Sequence, residues 1–168
     1  ASIGTRIKPE WKEIFANKLE SFQSVSVREQ TAQEQLEECG VKSSVEIDPV
    51  FLLTKEEWVE KAKSVKNESY ILIYLLQKAD DFMNEAIKYA KKKGKKIVII
   101  STGLKRQYDA EYVSDCGPEE FLGYFNGADT VFTNSFHGIA FSILLNKNFY
   151  YQLQGNNVKT NSRLLDII

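Results

Sequence analysis

The sequence has 168 residues, of which 43% are apolar and 27% are charged, and its formal net charge is −1. A chain of this length and composition can bury a full core, which excludes disordered and fibrous proteins. The near-zero charge gives no reason to expect nucleic acid or an anionic membrane surface as a partner. No apolar run approaches the roughly 18 residues of a membrane span, so we expect no integral membrane segment.

The start of the chain and its cysteines bear on cellular location. The first four residues have neither an initiator methionine nor the pattern of a signal peptide, so we expect a piece of a longer protein. Cys39 and Cys116 are far apart and lack CxxC spacing, which favours neither a disulfide framework nor a structural zinc site. A cytoplasmic protein fits these features best.

Before residue 64 the sequence predicts alternating short elements. The spacing of apolar residues predicts, in chain order, a helix at residues 9–22, a strand at 24–27, a helix at 30–39 and a strand at 45–48. Thr54, followed by Glu57 three residues later, predicts a capping box that begins a further helix containing Trp58. The polar stretch at residues 64–69 is the best candidate for a boundary between domains.

Beyond this stretch, buried strands alternate with amphipathic helices. Residues 70–76 are a continuous apolar run, typical of a strand covered on both faces in a parallel sheet. The other predicted elements are a helix capped by Asp80 or Asp81 and ended at Gly94, strands at 97–100, 130–133 and 149–153, and helices at 118–125 and 136–145. Strict alternation predicts an α/β fold with a Rossmann-like, doubly wound parallel sheet.

Four polar turns follow the four predicted strands of this sheet. They lie at residues 77–78, 101–103, 134–137 and 154–157. Because the carboxyl ends of parallel strands share one edge of the sheet, we expect these turns to gather around a ligand at the switch point.

The turn within residues 130–139, TVFTNSFHGI, has the strongest chemical signal. The helix that begins after Ser135 presents N–H groups without intrahelical acceptors, and its dipole favours a carboxylate or phosphate there. Gly138 would let such a ligand approach the backbone. His137, the one histidine of the chain, would exchange a proton at the same place, or it would be merely structural.

Several segments together resemble the polysaccharide pyruvyl transferase family. Its C-terminal signature is similar to GPEEFL at 117–122, ADTV at 128–131 and TNSFHG at 133–138, with further matches at 141–142, 146–147 and 149. SVRE at 26–29 resembles the family's Ser-x-Arg-Glu element, and the pairs at 48–49 and 162–163 resemble its Asp-Pro and Ser-Arg elements. The resemblance spans nearly the whole chain.

The resemblance implies a transferase that moves the enolpyruvyl unit of phosphoenolpyruvate onto two hydroxyls of a bacterial cell-envelope polysaccharide, as a cyclic ketal. It also implies two Rossmann-like lobes, as in GT-B glycosyltransferases. Residues 1–66 would be the end of the N-terminal lobe with its connecting segment, and residues 67–168 the C-terminal lobe with the donor site. Most of the N-terminal lobe would then be missing.

The resemblance and the turn together suggest site residues. His137 is the candidate catalytic acid or base, and phosphoenolpyruvate is a co-substrate, so we expect no cofactor. No cluster of His, Asp and Glu has the spacing of metal ligands, so we expect no metal. Five residues are candidate donor ligands: Arg28, Asn134, Ser135, Gly138 and Arg163. Three are candidates for contacting the acceptor or orienting other groups: Glu29, Thr102 and Asn156.

Alternatives stay open at this point. Arg28 and Glu29 would also fit a charged helix start, and Asp48 with Pro49 would fit a simple strand stop. Phe136 stands where some relatives carry arginine, so this turn lacks one anion-binding charge. A GT-B nucleotide-sugar glycosyltransferase, or a lobe that is inactive on its own, are the competing functions.

Overall fold

The computed structural model describes residues 2–3, 5–66, 68–101, 107–153, 161 and 167. By its contacts the chain divides into two compact units, of which the first runs to Pro49 and the second comprises Val50–Leu153. The segment after α3 (Lys55–Lys61) is attached to the second unit, because Lys63 N donates to Glu119 O at 3.0 Å. The assignment of residues 1–66 to a separate N-terminal lobe stays a prediction.

The first unit contains two helices and a small parallel sheet. Its elements are α1 (Pro9–Leu19), β1 (Ser26–Val27), α2 (Gln30–Glu37) and β2 (Ser44–Val45). Its core is formed by Ile7, Val27, Ala32, Leu36 and Cys39. The predicted elements are therefore present, although all four are shorter than their apolar spacing suggested.

The second unit is built around a five-stranded sheet. After a 3₁₀ helix (Pro49–Leu52) and α3, its elements are β3 (Tyr70–Tyr74), α4 (Asp80–Lys93), β4 (Lys96–Ile100), β5 (Glu111–Val113), α5 (Pro118–Gly127), β6 (Ala128–Thr133), α6 (Phe136–Leu144) and β7 (Asn148–Tyr151). The strand order is β5-β4-β3-β6-β7, and every neighbouring pair is parallel. The predicted Rossmann-like, doubly wound fold is confirmed.

The packing follows from the sequence pattern of the central strands. Ile71, Ile73 and Ile99 are fully buried, as expected for strands covered on both faces. Helix α4 packs Met83 and Ala86 against one face of the sheet. These contacts fix the strand ends from which the candidate site is built.

Of the two predicted helix N-caps, that of α3 is confirmed and that of α4 is wrong. Thr54 and Glu57 form the predicted capping box, with Thr54 N donating to Glu57 Oε2 at 2.7 Å and Glu57 N donating to Thr54 Oγ1 at 3.3 Å. The predicted cap of α4 is wrong, since Ala79 occupies the N-cap position. Asp80 and Asp81 lie inside the first turn, where their carboxylates complement the helix dipole.

No helix among the described residues combines the length and apolar character needed to cross a membrane.

Candidate functional site

The switch point of the sheet lies between β3 and β6. From β3 the chain first adds β4 and β5 on one side, and then returns to add β6 and β7 on the other. The last paired residues of β3 and β6 are Tyr74 and Thr133, so both strands end at the same edge. Ligands of open α/β sheets bind outside this edge at the switch point.

Thr133 joins the ends of these two strands. Its Oγ1 donates to Tyr74 O at 2.7 Å and accepts from Ser135 N at 3.1 Å. Thr133 is fully buried, so these bonds are shielded from solvent and fix where the turn after β6 begins. Thr133 opens the TNSFHG segment but was not predicted as a site residue, although a polar side chain at the end of a buried strand was a signal for it.

Asn134 faces the loop that follows β3. Its Oδ1 accepts from Leu76 N at 2.8 Å, and its Nδ2 donates to Gln77 O at 3.0 Å. The Asn134 side chain is buried, and each of its amide atoms holds a backbone group of that loop. Its predicted role as a donor ligand stays a prediction.

Ser135 is the N-cap of α6. Its backbone is extended, with φ −100° and ψ 136°, and its Oγ accepts from Gly138 N at 3.3 Å. Burial raises the pKa of the neighbouring Tyr74 hydroxyl, and a hydrogen bond with Ser135 partly offsets this rise. The α6 N-terminus with its positive dipole end therefore lies at the switch point, where an anion is favoured.

Gly138 packs against Thr133. A Cβ at this glycine would overlap Thr133 Oγ1 and would lie 2.9 Å from Thr133 Cβ and 3.0 Å from Thr133 Cγ2. The sequence suggested that the glycine lets a ligand approach, whereas the structure shows that it lets α6 approach β6. Binding of the donor by Gly138 stays a prediction.

His137 is exposed in the first turn of α6. Its ring meets that of Phe136 edge-on, with the ring centroids 5.4 Å apart and the planes at 87°. An exposed imidazole in this position is accessible to a ligand at the switch point, which is what a catalytic acid or base requires.

In the first unit, Arg28 forms an ion pair with Asp48. The contact joins Arg28 Nη1 to Asp48 Oδ2, and only 5% of the Asp48 side chain is exposed. The adjacent Glu29 is buried and accepts a hydrogen bond from Ser2 Oγ. Asp48 is therefore more than a strand stop, and its place in the Asp-Pro element was the available signal.

The structure thus describes most of the predicted site residues. The second unit brings together Asn134, Ser135, His137 and Gly138, and the first places Arg28 beside Asp48 with Glu29 next in the chain. The predicted residues Thr102, Asn156 and Arg163 lie outside the described residues. Within the described part of the chain, no three His, Cys, Asp or Glu side chains group as metal ligands would.

A cavity of about 830 Å³ lies at the carboxyl ends of β3, β4 and β5 and is lined in part by the loop to which Asn134 bonds. Its lining includes Tyr74, Gln77, Tyr108, Cys116 and Phe121. Burial raises the pKa of the Cys116 thiol, which disfavours the reactive thiolate at neutral pH. Cys116 is therefore not an activated nucleophile in this cavity.

A larger cavity, of about 1140 Å³, lies at the opposite edge of the sheet, where β3, β4 and β5 begin. Two of its lysines are held in ion pairs, Lys66 with Glu111 and Lys96 with Glu68. Since ligands of such sheets bind at the carboxyl edge, the candidate site comprises the 830 Å³ cavity and the turn after β6, both of which lie at that edge.

The fold and this turn define an α/β domain in which a serine-capped helix begins at the switch point of a parallel sheet. The family model of polysaccharide pyruvyl transferase matches residues 1–151 of the chain. The chain belongs to the polysaccharide pyruvyl transferase family, which indicates a transferase of polysaccharide biosynthesis. No curated protein and no solved structure matches it.

Proposed function

We propose that this chain carries the donor site of a cytoplasmic bacterial enzyme that transfers the pyruvyl unit of phosphoenolpyruvate to a cell-envelope polysaccharide. The single observation that carries the proposal is the serine-capped start of α6 at the switch point, with His137 exposed in its first turn. Membership of the family supports it, because the donor of a pyruvyl transfer carries both a carboxylate and a phosphate.

The proposed reaction balances without a cofactor. A proton adds to the methylene carbon of phosphoenolpyruvate, which leaves an oxocarbenium-like carbon beside the phosphate ester oxygen. One sugar hydroxyl attacks that carbon and loses its proton, and the carbon–oxygen bond to phosphate then breaks. A second hydroxyl bonds to the same carbon and loses its proton in turn, which closes the cyclic ketal. The products are the ketal and inorganic phosphate, and the enzyme must deliver and accept protons in turn.

The described residues divide these tasks. His137 gives the proton to the methylene carbon or takes it from the attacking hydroxyl. The positive end of α6 offsets the negative charge of the donor. Arg28 binds a carboxylate or phosphate with its guanidinium, whose orientation Asp48 supports through the ion pair.

The experiment that tests the proposal uses the full chain and two sets of substrates. Phosphate release is measured with phosphoenolpyruvate plus candidate glycans, and the product is examined by NMR for the methyl group of a ketal. Nucleotide release from nucleotide sugars is measured in parallel. Phosphate release that depends on the glycan supports the proposal, whereas nucleotide release alone would point to a glycosyltransferase.

The alternative that this chain is inactive on its own is tested by measuring phosphoenolpyruvate binding. Titration with phosphoenolpyruvate gives saturable binding if donor recognition resides in this chain, even when no transfer occurs. Absence of both binding and transfer would contradict the proposal for this chain.

Arg28→Ala is expected to weaken phosphoenolpyruvate binding by about 10- to 100-fold, because a charge-assisted hydrogen bond to the donor is lost. Isothermal titration measures the change. Arg6→Ala is the matched control, since Arg6 belongs to the same unit but is exposed and pairs loosely with Glu38 at 3.8 Å. Equal affinities for the two variants would remove Arg28 from the donor site.

A further inference from the structure

The loop between β3 and α4 is tied to the turn after β6 beyond the end of the strand ladder. The last ladder pair is Tyr74 with Thr133. Past it, Asn134 accepts from Leu76 N at 2.8 Å and donates to Gln77 O at 3.0 Å. One side chain from across the switch point thus holds the N–H of Leu76 and the carbonyl of the next residue, Gln77.

The Asn134 side chain is buried, whereas the loop residues to which it bonds are exposed. Asn134 is 2% exposed, whereas Leu76 is 59% exposed and Gln77 is also exposed. A buried amide is costly unless both its donor and its acceptor are bonded, and here both are bonded to an otherwise exposed loop. Asparagine fits because one planar group must accept at one end and donate at the other.

The loop held in this way forms a wall of the 830 Å³ cavity. Aromatic rings from Tyr74, Tyr108 and Phe121 contribute to the lining, and Gln77 supplies an amide. The volume lies in the range of small-molecule sites. Aromatic rings with a few polar groups suit a sugar, whose C–H faces pack against rings while its hydroxyls bond to amides.

We propose that Asn134 is a positioning residue, which holds the loop at residues 76–78 so that the cavity lined by this loop can receive the ring of the acceptor sugar. The identity of the sugar as acceptor rests on the proposed function, whereas the link between Asn134 and the loop does not. Asn134 acts through the loop backbone and need not touch the substrate.

The first test measures hydrogen exchange of the Leu76 amide in the full chain and needs no activity. In the wild-type chain this amide is expected to exchange at least about tenfold more slowly than an unbonded amide, although the residue is exposed. Asn134→Ala removes the acceptor and is expected to abolish that protection, while the amides of Ile71 and Ile73 keep theirs. Asn84→Ala, in an exposed asparagine of α4, is the matched control.

The second test separates the two substrates. Asn134→Ala is expected to raise KM for the glycan acceptor roughly tenfold, because the loop loses two hydrogen bonds. KM for phosphoenolpyruvate is expected to change less than twofold. A merely structural role would lower the fraction of folded protein and leave both KM values unchanged.

The outcomes are distinguishable. An unprotected Leu76 amide in the wild-type chain overturns the inference even if Asn134→Ala does not fold. Unchanged acceptor KM in a folded variant overturns the role toward the sugar. A wild-type chain that neither binds phosphoenolpyruvate nor transfers its pyruvyl unit, but keeps a protected Leu76 amide, overturns the proposed function and the sugar's role but supports the link between Asn134 and the loop.

Discussion

Replacing His137 with alanine is expected to lower kcat for pyruvyl transfer by about 10²- to 10⁴-fold, the contribution typical of a positioned acid or base. The imidazole is exposed at the start of α6, so its removal takes nothing from the buried core. Steady-state phosphate release gives kcat, and a thermal melt shows whether the fold is kept. Affinity for phosphoenolpyruvate is expected to change much less than kcat.

Two further variants sharpen this expectation. His137→Gln keeps a polar side chain of similar size but cannot carry a proton at neutral pH, so it is expected to be as impaired as the alanine variant. Phe136→Leu removes the ring that meets His137 edge-on and controls for the loss of that contact. Turnover that survives His137→Ala would remove the catalytic assignment.

The predictable part of this fold lies in its long, uniform segments. The continuous apolar runs of β3, β4 and β6 predicted buried parallel strands, because few other environments accept such runs. The strand β5 was missed. It has only three residues, of which Val113 alone is buried, so the strand is too short for a periodic pattern of apolar residues to predict it.

The local part of the candidate site was also within reach of the sequence. Ser135, His137 and Gly138 lie within four residues, so the cap and the first turn follow from local rules. At α4 the same rules failed, because Asp80 and Asp81 are favourable both at the cap and in the first turn. The sequence alone does not separate these two positions.

The long-range contacts of the site could not be predicted from spacing. Asn134 bonds to Leu76 and Gln77, which precede it by 58 and 57 residues. Arg28 pairs with Asp48, 20 residues later. The two residues follow β1 and β2, strands of two residues each, which are too short for a sequence pattern to fix their register. Such partners depend on how the strands are ordered in space, and periodicity carries no such information.

Replacing Gly138 with alanine is expected to destabilise the protein by about 3 kcal/mol. The new Cβ would overlap Thr133 Oγ1 and lie 2.9 Å from Thr133 Cβ. Thr133 cannot give way cheaply, because it is fully buried and its Oγ1 bonds to Tyr74 O and Ser135 N. Denaturant unfolding followed by circular dichroism measures the loss.

Gly94→Ala is the control for a change of the same size without a clash. Gly94 has nothing within 4 Å of its Cβ position, and its φ of +61° imposes only a backbone cost of about 1 kcal/mol. Pairing Gly138→Ala with Thr133→Ala removes the overlapping Oγ1, so the double variant is expected to lose less stability than the two single losses added together. Additive losses, or a Gly138→Ala variant as stable as Gly94→Ala, would contradict the role of this glycine in seating α6 against β6. Since Gly138 and Thr133 flank the turn that carries His137, a confirmed clash would also show that this contact helps to fix where that turn and α6 begin.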